Sequence, residues 1–171
     1  MIMIVKLEKE EFDAVFSIME RSFPLEEFRP YDAQTALLSD SAYTIYVAKE
    51  KGKILGFAAV WDLENWLFLE HLAVEPACRD RGIGAELLHF LAEKQCCLEV
   101  EPPVTELTRR RVGFYQRNGF FLNDYPYVQP SLGDGRSPVP LHIMTTGNTV
   151  SPEEFSKLKA LLYSRVYGRK E

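Results

Sequence analysis

The 171-residue sequence is short of several things, and each shortage excludes something. No apolar run approaches the roughly 20 residues of a membrane-spanning helix, so no membrane partner is expected. The opening stretch Met1 to Asp13 carries acidic residues where a signal peptide needs an unbroken apolar core, and a cytoplasmic protein is expected. Cysteines number only three, Cys78 and the adjacent Cys96 and Cys97, with no C-x-x-C pair and no histidine-rich partner. Reduced structural thiols and no metal site are the expectation. A basic excess is also missing: the formal net charge is −5, which argues against a nucleic-acid partner and suits a cationic substrate. Repeats, low-complexity tracts and linkers are absent, so residues 1–171 are expected to form a single domain with a core of its own.

What is present is concentrated in Phe68 to Leu88, FLEHLAVEPACRDRGIGAELL. Its first half reads as a strand that Pro76 stops near Glu75. Arg79 to Ala85 then forms a glycine-punctuated turn, and a helix is expected from Gly82 to Lys94. Strand, glycine turn and helix N-terminus together offer free backbone N–H groups to an anion such as a phosphate.

Around that stretch the patterning predicts a strand within Met1 to Leu7 and an amphipathic helix from Lys9 to Phe23. The helix is read from Phe12, Val15, Phe16 and Met19 at helical spacing, and Pro24 ends it. An irregular connection precedes a short helix from Tyr31 to Leu38, with Asp32 as its expected N-cap. Tyr43 to Ala48 and Ile54 to Trp61 read as a hairpin about Lys51-Gly52-Lys53, with Gly56 marking a bulge or a close backbone approach. A strand from Cys97 to Glu101, a helix from Thr105 to Asn118 closed by Gly119, strands at Phe120 to Val128 and Val139 to Thr145, and a helix from Ser151 to about Tyr167 complete the chain. Ser151, Pro152 and Glu154 form its capping box.

The order of elements, with Arg79-x-x-Gly82-x-Gly84 followed by Gly113-Phe-Tyr-Gln-Arg-Asn-Gly-Phe120, resembles the GNAT N-acetyltransferase superfamily over about Ile4 to Met144. The helix Ser151 to Tyr167 lies outside the resemblance, which leaves it two roles, capping the sheet or mediating a homodimer. The resemblance implies an α/β (α+β) fold, with a mixed, mostly antiparallel six- to seven-stranded sheet whose central parallel pair splays open. It implies acetyl transfer from acetyl-CoA, as co-substrate and without a metal, to a primary amine of a small molecule or peptide by direct attack in a ternary complex. The cofactor-binding positions it carries over are Leu72, Ala73 and Val74 on the strand and Arg79, Asp80, Arg81, Gly82, Ile83, Gly84 and Ala85 in the turn. Thr108, where a family pattern often has asparagine, is a weaker candidate. Gly82 and Gly84 leave room for the pyrophosphate and Arg79 and Arg81 add charge.

Tyr115 matches the family tyrosine; a phenol protonated at neutral pH suits a general acid for the thiolate leaving group. The expected base is Glu70, whose pKa would rise if it were partly desolvated. His71, on the opposite face of a regular strand, is the runner-up, and a bulge would reverse that placement. Arg109, Arg110 and Arg111 read as a solvated helix face. Glu26, Glu27, Glu99, Glu101 and Asp124, with Tyr125, Tyr127 and Trp66, are candidate acceptor-pocket residues. Cys78 has no evident activating base. A non-catalytic acyl-CoA sensor on the same fold is the alternative; a Rossmann-like domain conflicts with three consecutive antiparallel strands before the glycine turn.

Overall fold

A computed structural model describes residues 1–169. Seven strands form one sheet: β1 (Met3–Lys6), β2 (Tyr43–Glu50), β3 (Lys53–Asp62), β4 (Leu67–Val74), β5 (Cys96–Val100), β6 (Phe120–Gln129) and β7 (Val139–Thr146). Their order is β1-β2-β3-β4-β5-β7-β6, antiparallel throughout except for the parallel pair β4 and β5. The helix expected from Gly82 to Lys94 connects that pair, as a parallel crossover requires.

The helices are α1 (Phe12–Ser22), α2 (Tyr31–Ala36), α3 (Ile83–Phe90), α4 (Glu106–Arg117) and α5 (Pro152–Arg165). One face of the sheet packs against α1 and α5 through Phe12, Val15, Phe16, Met19, Phe155, Leu158 and Leu162. The other face packs against α3 and α4 through Ile83, Leu87, Leu88 and Val112. Each of these four helices buries one apolar stripe, and the sheet supplies the alternate side chains of both faces.

Some boundaries differ from the sequence reading, each for a local reason. The first helix opens as a short 3-10 turn at Lys9–Glu11, with Glu8 and Glu11 closing a capping box. Asp32 is not the N-cap of α2; that position is Pro30, whose carbonyl accepts from the Gln34 N–H at 2.9 Å. The helix after the glycine turn stops at Phe90 rather than Lys94, because the Gln95 carbonyl is already accepting from the Leu67 N–H at 2.8 Å. Gly56 shows both expected behaviours. A Cβ there would stand 2.8 Å from the Ala73 carbonyl oxygen, and the β2–β3 register slips beside it.

Two irregularities shape the centre of the sheet. β4 and β5 pair only from Leu67–Leu69 to Cys96–Leu98, so Leu72 to Val74 keep β3 on one edge and have no ladder partner on the other. The β3–β4 register also slips, with Ala59 opposite His71 but Val60 opposite Leu69. Glu70 is thus an extra residue, a bulge in the central strand.

Candidate active site

Where β4 and β5 part, a slot of about 530 Å³ opens between them. Leu72, Ala73 and Val74 form one wall, with the unpaired strand edge available to a linear amide-bearing ligand. Arg79, Asp80, Gly82, Ile83, Gly84 and Ala85 close one end, and Leu107, Arg110, Arg111, Phe114 and Tyr115 of α4 close the side. The chain reaches this geometry through left-handed backbone at Asp80 (φ 71°) and Gly82 (φ 75°), the latter being the N-cap of α3. Gly82 is explained by that conformation, since a Cβ on it would meet nothing within 4 Å. Gly84 has a different reason: its Cβ would stand 3.1 Å from the Phe114 ring, so its smallness lets α3 approach α4.

Not every expected cofactor contact is in place. Arg81 turns away from the slot and pairs with Glu50 of β2 at 3.0 Å. Thr108 is buried and consumed locally, its hydroxyl bonded to the N–H and hydroxyl of Thr105 in a capping box that starts α4. Arg110 and Arg111, expected on a solvated face, line the slot instead, and Arg111 pairs with Glu101 at 2.5 Å. Arg79, Arg110 and the α3 N-terminus are the cationic groups that a pyrophosphate would meet.

Tyr115 stands where the slot meets a smaller recess of about 40 Å³, lined by Phe23, Glu27, Glu70, His71, Glu99 and Tyr115 among others. Its ring sits between Phe114 and Phe120, 5.2 and 5.7 Å away between centroids. Burial pushes its phenol up to about 12, so the proton is held at any pH near neutral.

Glu70 departs most from expectation. Burial pushes its carboxyl up, yet the Arg29 guanidinium, with His71 and the Trp61 indole, outweighs that effect and leaves the pKa below the ordinary value. Arg29 Nη1 stands 2.9 Å from one oxygen, and Trp61 Nε1 donates to the other at 2.8 Å. Side-chain exposures of 9% for Arg29 and 2% for Glu70 make this a buried ion pair. A carboxylate so neutralised is a poor proton acceptor, and the raised pKa expected of Glu70 is corrected.

His71 is corrected too. The bulge places it on the same face as Glu70, against the Phe23 ring at 4.8 Å, with Nε2 2.7 Å from the Glu27 carbonyl oxygen. A carbonyl only accepts, so Nε2 carries the hydrogen; burial lowers the imidazole pKa and keeps it neutral. His71 therefore holds the backbone at Glu27, and Gln129 helps by donating to the Glu26 carbonyl at 3.0 Å.

Two carboxylates from the candidate acceptor pocket do acquire raised pKa values. Glu27 rises to about 7, chiefly through burial and then through the nearby Glu101 charge. Glu99 rises to about 8 through burial, with Glu70 and Glu27 adding repulsion and two tyrosine hydroxyls opposing it. Glu27, Glu99 and Glu101 line the slot together, whereas Tyr125 caps the Val150 carbonyl at 2.7 Å and Trp66 packs into the α1-side core. Of the aromatic residues expected there, Tyr127 alone reaches an acid of the site, donating to Glu99 at 2.5 Å.

Comparison with known proteins points to one family. Residues 41–121, which hold β2 to the start of β6, match a model described as an acetyltransferase (GNAT) domain. A structure described as a putative GNAT-family acetyltransferase from Bacteroides thetaiotaomicron superposes with a TM-score of 0.88 at 28% identity, covering 97% of this chain and 98% of that one. The chain is similar to GNAT acetyltransferases in fold and over nearly its whole length. The putative acetyltransferase YjbC of Bacillus subtilis is 27% identical over 154 residues, 87% of this chain and 79% of that protein. A structure of yncA from Salmonella typhimurium with acetyl-CoA shares the fold, with a TM-score of 0.63 at 17% identity over 85% of this chain and 92% of that one. The slot of this chain fits such a ligand on its own terms, with an open strand edge, a glycine turn at a helix start and arginines beside it.

Proposed function

We propose that the protein transfers the acetyl group of acetyl-CoA to a primary amine of a small molecule or peptide, within a ternary complex and with Glu99 as proton acceptor. The observation that carries this reading is the meeting of Tyr115, Glu27 and Glu99 in one small recess where β4 and β5 separate. The coenzyme A arm lies along Leu72 to Val74, with its pyrophosphate at Gly82 to Ala85 and Arg79. The acceptor ammonium enters between Glu27 and Glu99, where carboxyl oxygens accept from it and its positive charge favours their ionisation. Glu99 removes its proton, directly or through a water, and a group titrating near 8 does so at neutral to mildly alkaline pH.

The freed nitrogen attacks the thioester carbonyl, a C–N bond forms and the C–S bond breaks. Tyr115 gives its proton to the departing sulfur, so the products are an amide and free coenzyme A thiol. The recess has room for only a few atoms, which favours an unhindered amine whose body stays in the open slot. Cys78 lines the slot, but no carboxylate or imidazole is bonded to it among the described residues, and an acyl-cysteine route lacks its activating base. A panel of primary amines, followed by thiol release from acetyl-CoA, tests the reading. Glu99→Gln is expected to lower kcat/KM by about 10²-fold with the best acceptor. Undiminished turnover in Glu99→Gln would remove Glu99 from the mechanism.

A further inference from the structure

Glu99 is gripped from two elements distant in sequence. Tyr127 of β6 donates to its Oε2 at 2.5 Å, and Tyr167, two residues beyond α5, reaches its oxygens at 2.7 and 2.8 Å. Tyr167 is itself anchored. Its N–H donates to the Leu162 carbonyl at 3.2 Å, and the neighbouring Val166 carbonyl faces Arg29 Nη2 at 3.5 Å. The Arg169 N–H donates to the Tyr163 carbonyl at 2.7 Å, and its guanidinium to the Ser131 carbonyl at 3.1 Å. Arg29 in turn holds Glu70, so the end of the chain is tied to the buried ion pair as well as to Glu99.

We propose that Tyr167 is a positioning residue that fixes the Glu99 carboxylate, making the segment after α5 a working part of the transfer site. The inference rests on the reading of Glu99 as proton acceptor, and it reaches a part of the chain outside the matched GNAT region. A glutamate on a strand has free χ torsions, and two hydroxyl donors on its oxygens remove most of that freedom. The donors also favour the anion. The titratable groups facing Glu99 are Tyr127 from β6, Tyr163 from α5 and Tyr167 beyond it, Cys97 from its own strand, Glu70 from the central strand and Glu27 from the turn after α1. Both carboxylates oppose ionisation of Glu99 and the two hydrogen-bonding phenols, Tyr127 and Tyr167, favour it, so removal of one of them has a defined direction.

Tyr167→Phe deletes one oxygen and keeps the ring. Expected are a kcat about 5-fold lower at pH 7, a KM for acetyl-CoA within about twofold of wild type, and an acidic limb of the kcat/KM profile displaced upward by about half a pH unit. In a Glu99→Gln background the same change should cost nothing further, because the hydroxyl acts only through Glu99. Carbon-13 NMR of the labelled Glu99 carboxyl separates anchoring from proton transfer. An upward titration shift without a displaced rate limb keeps the anchoring by Tyr167 and discards Glu99 as the base. An unshifted Glu99 titration in folded Tyr167→Phe overturns the proposal. If that variant fails to fold, 3-fluorotyrosine at position 167, a stronger donor, must move the Glu99 titration downward, and no movement overturns the proposal equally.

Discussion

The two ends of the slot are built in opposite ways. The proposed coenzyme A end comes from one continuous passage, Leu72 to Ala85, completed by a single face of α4. The proposed acceptor end draws Glu27 from the turn after α1, Glu70 and His71 from β4, Glu99 from β5, Tyr127 from β6 and Tyr167 from the segment after α5. The first is a local structure that short-range backbone rules assemble. The second exists only once the sheet and both helical layers are in place, so its electrostatics are properties of the packing. The difference predicts that damage at the acceptor end reaches both chemistry and stability, while damage at the coenzyme end changes cofactor affinity alone.

The largest effect should come from the residue shared by both ends. Tyr115→Phe removes the proposed proton donor to sulfur while keeping a ring between Phe114 and Phe120. Turnover is expected to fall by about 10² or more, with coenzyme A affinity measured by calorimetry near wild type. Equal loss of both would mean that the hydroxyl binds the cofactor and does not act as an acid.

Stability distinguishes the ends next. Arg29→Met strands the Glu70 carboxylate in a buried site, with only the Trp61 indole to hold it. The cost should be about 3–5 kcal/mol in urea unfolding. Glu70→Gln should give up much less turnover than Glu99→Gln once both are compared in the folded state. A Glu70→Gln protein as inactive as Glu99→Gln would restore Glu70 as the base and erase the division of labour among the carboxylates.

How much of this was legible in the sequence divides along the same line. Gly82, Gly84, Leu72 to Val74 and Tyr115 could be placed because glycine conformation, strand edge and helix start are set by neighbouring residues. Even there, Arg81 and Thr108 are bonded away from the slot, since Glu50 and Thr105 compete for them and neither competitor is marked by spacing. At the acceptor end the relevant acids were candidates that nothing in the sequence could rank. Glu70 lacks the raised pKa expected of it because Arg29, far away in sequence, folds beside it, and the bulge brings His71 to the same face. Tyr167 carried no signal at all, because an isolated tyrosine near a helix end is also what ordinary packing uses.

The acceptor-end carboxylates should also leave a mark on stability against pH. Glu27 and Glu99 have folded pKa values of about 7 and about 8, above the ordinary carboxylate value, so the folded state binds protons that the unfolded chain has released. Their contribution is complete below the unfolded pKa, near 4.5, and is lost as pH rises through the folded values. Thermal unfolding should therefore show the midpoint falling between pH 5 and 8, as an order-of-magnitude expectation of a few degrees, and Glu99→Gln should flatten that fall. A midpoint as pH-dependent in Glu99→Gln as in wild type would show that Glu99 does not titrate in this window.

The smallest effect tests the coenzyme end against its own motif. Arg79 and Arg81 flank the same turn, and charge counting alone would give them equal shares of the phosphates. Geometry does not: Arg79 lines the slot, while Arg81 is turned to Glu50 across an exposed ion pair. Arg79→Ala should raise the KM for acetyl-CoA by about 10-fold, the cost of one charge-assisted contact. Arg81→Ala should leave that KM within about twofold, because a solvent-exposed pair contributes little and its loss uncovers nothing buried. Equal losses from the two substitutions would mean that Arg81 leaves Glu50 when coenzyme A arrives. The coenzyme end would then be assembled by its ligand, and would no longer stand apart from the acceptor end as a site formed by backbone alone.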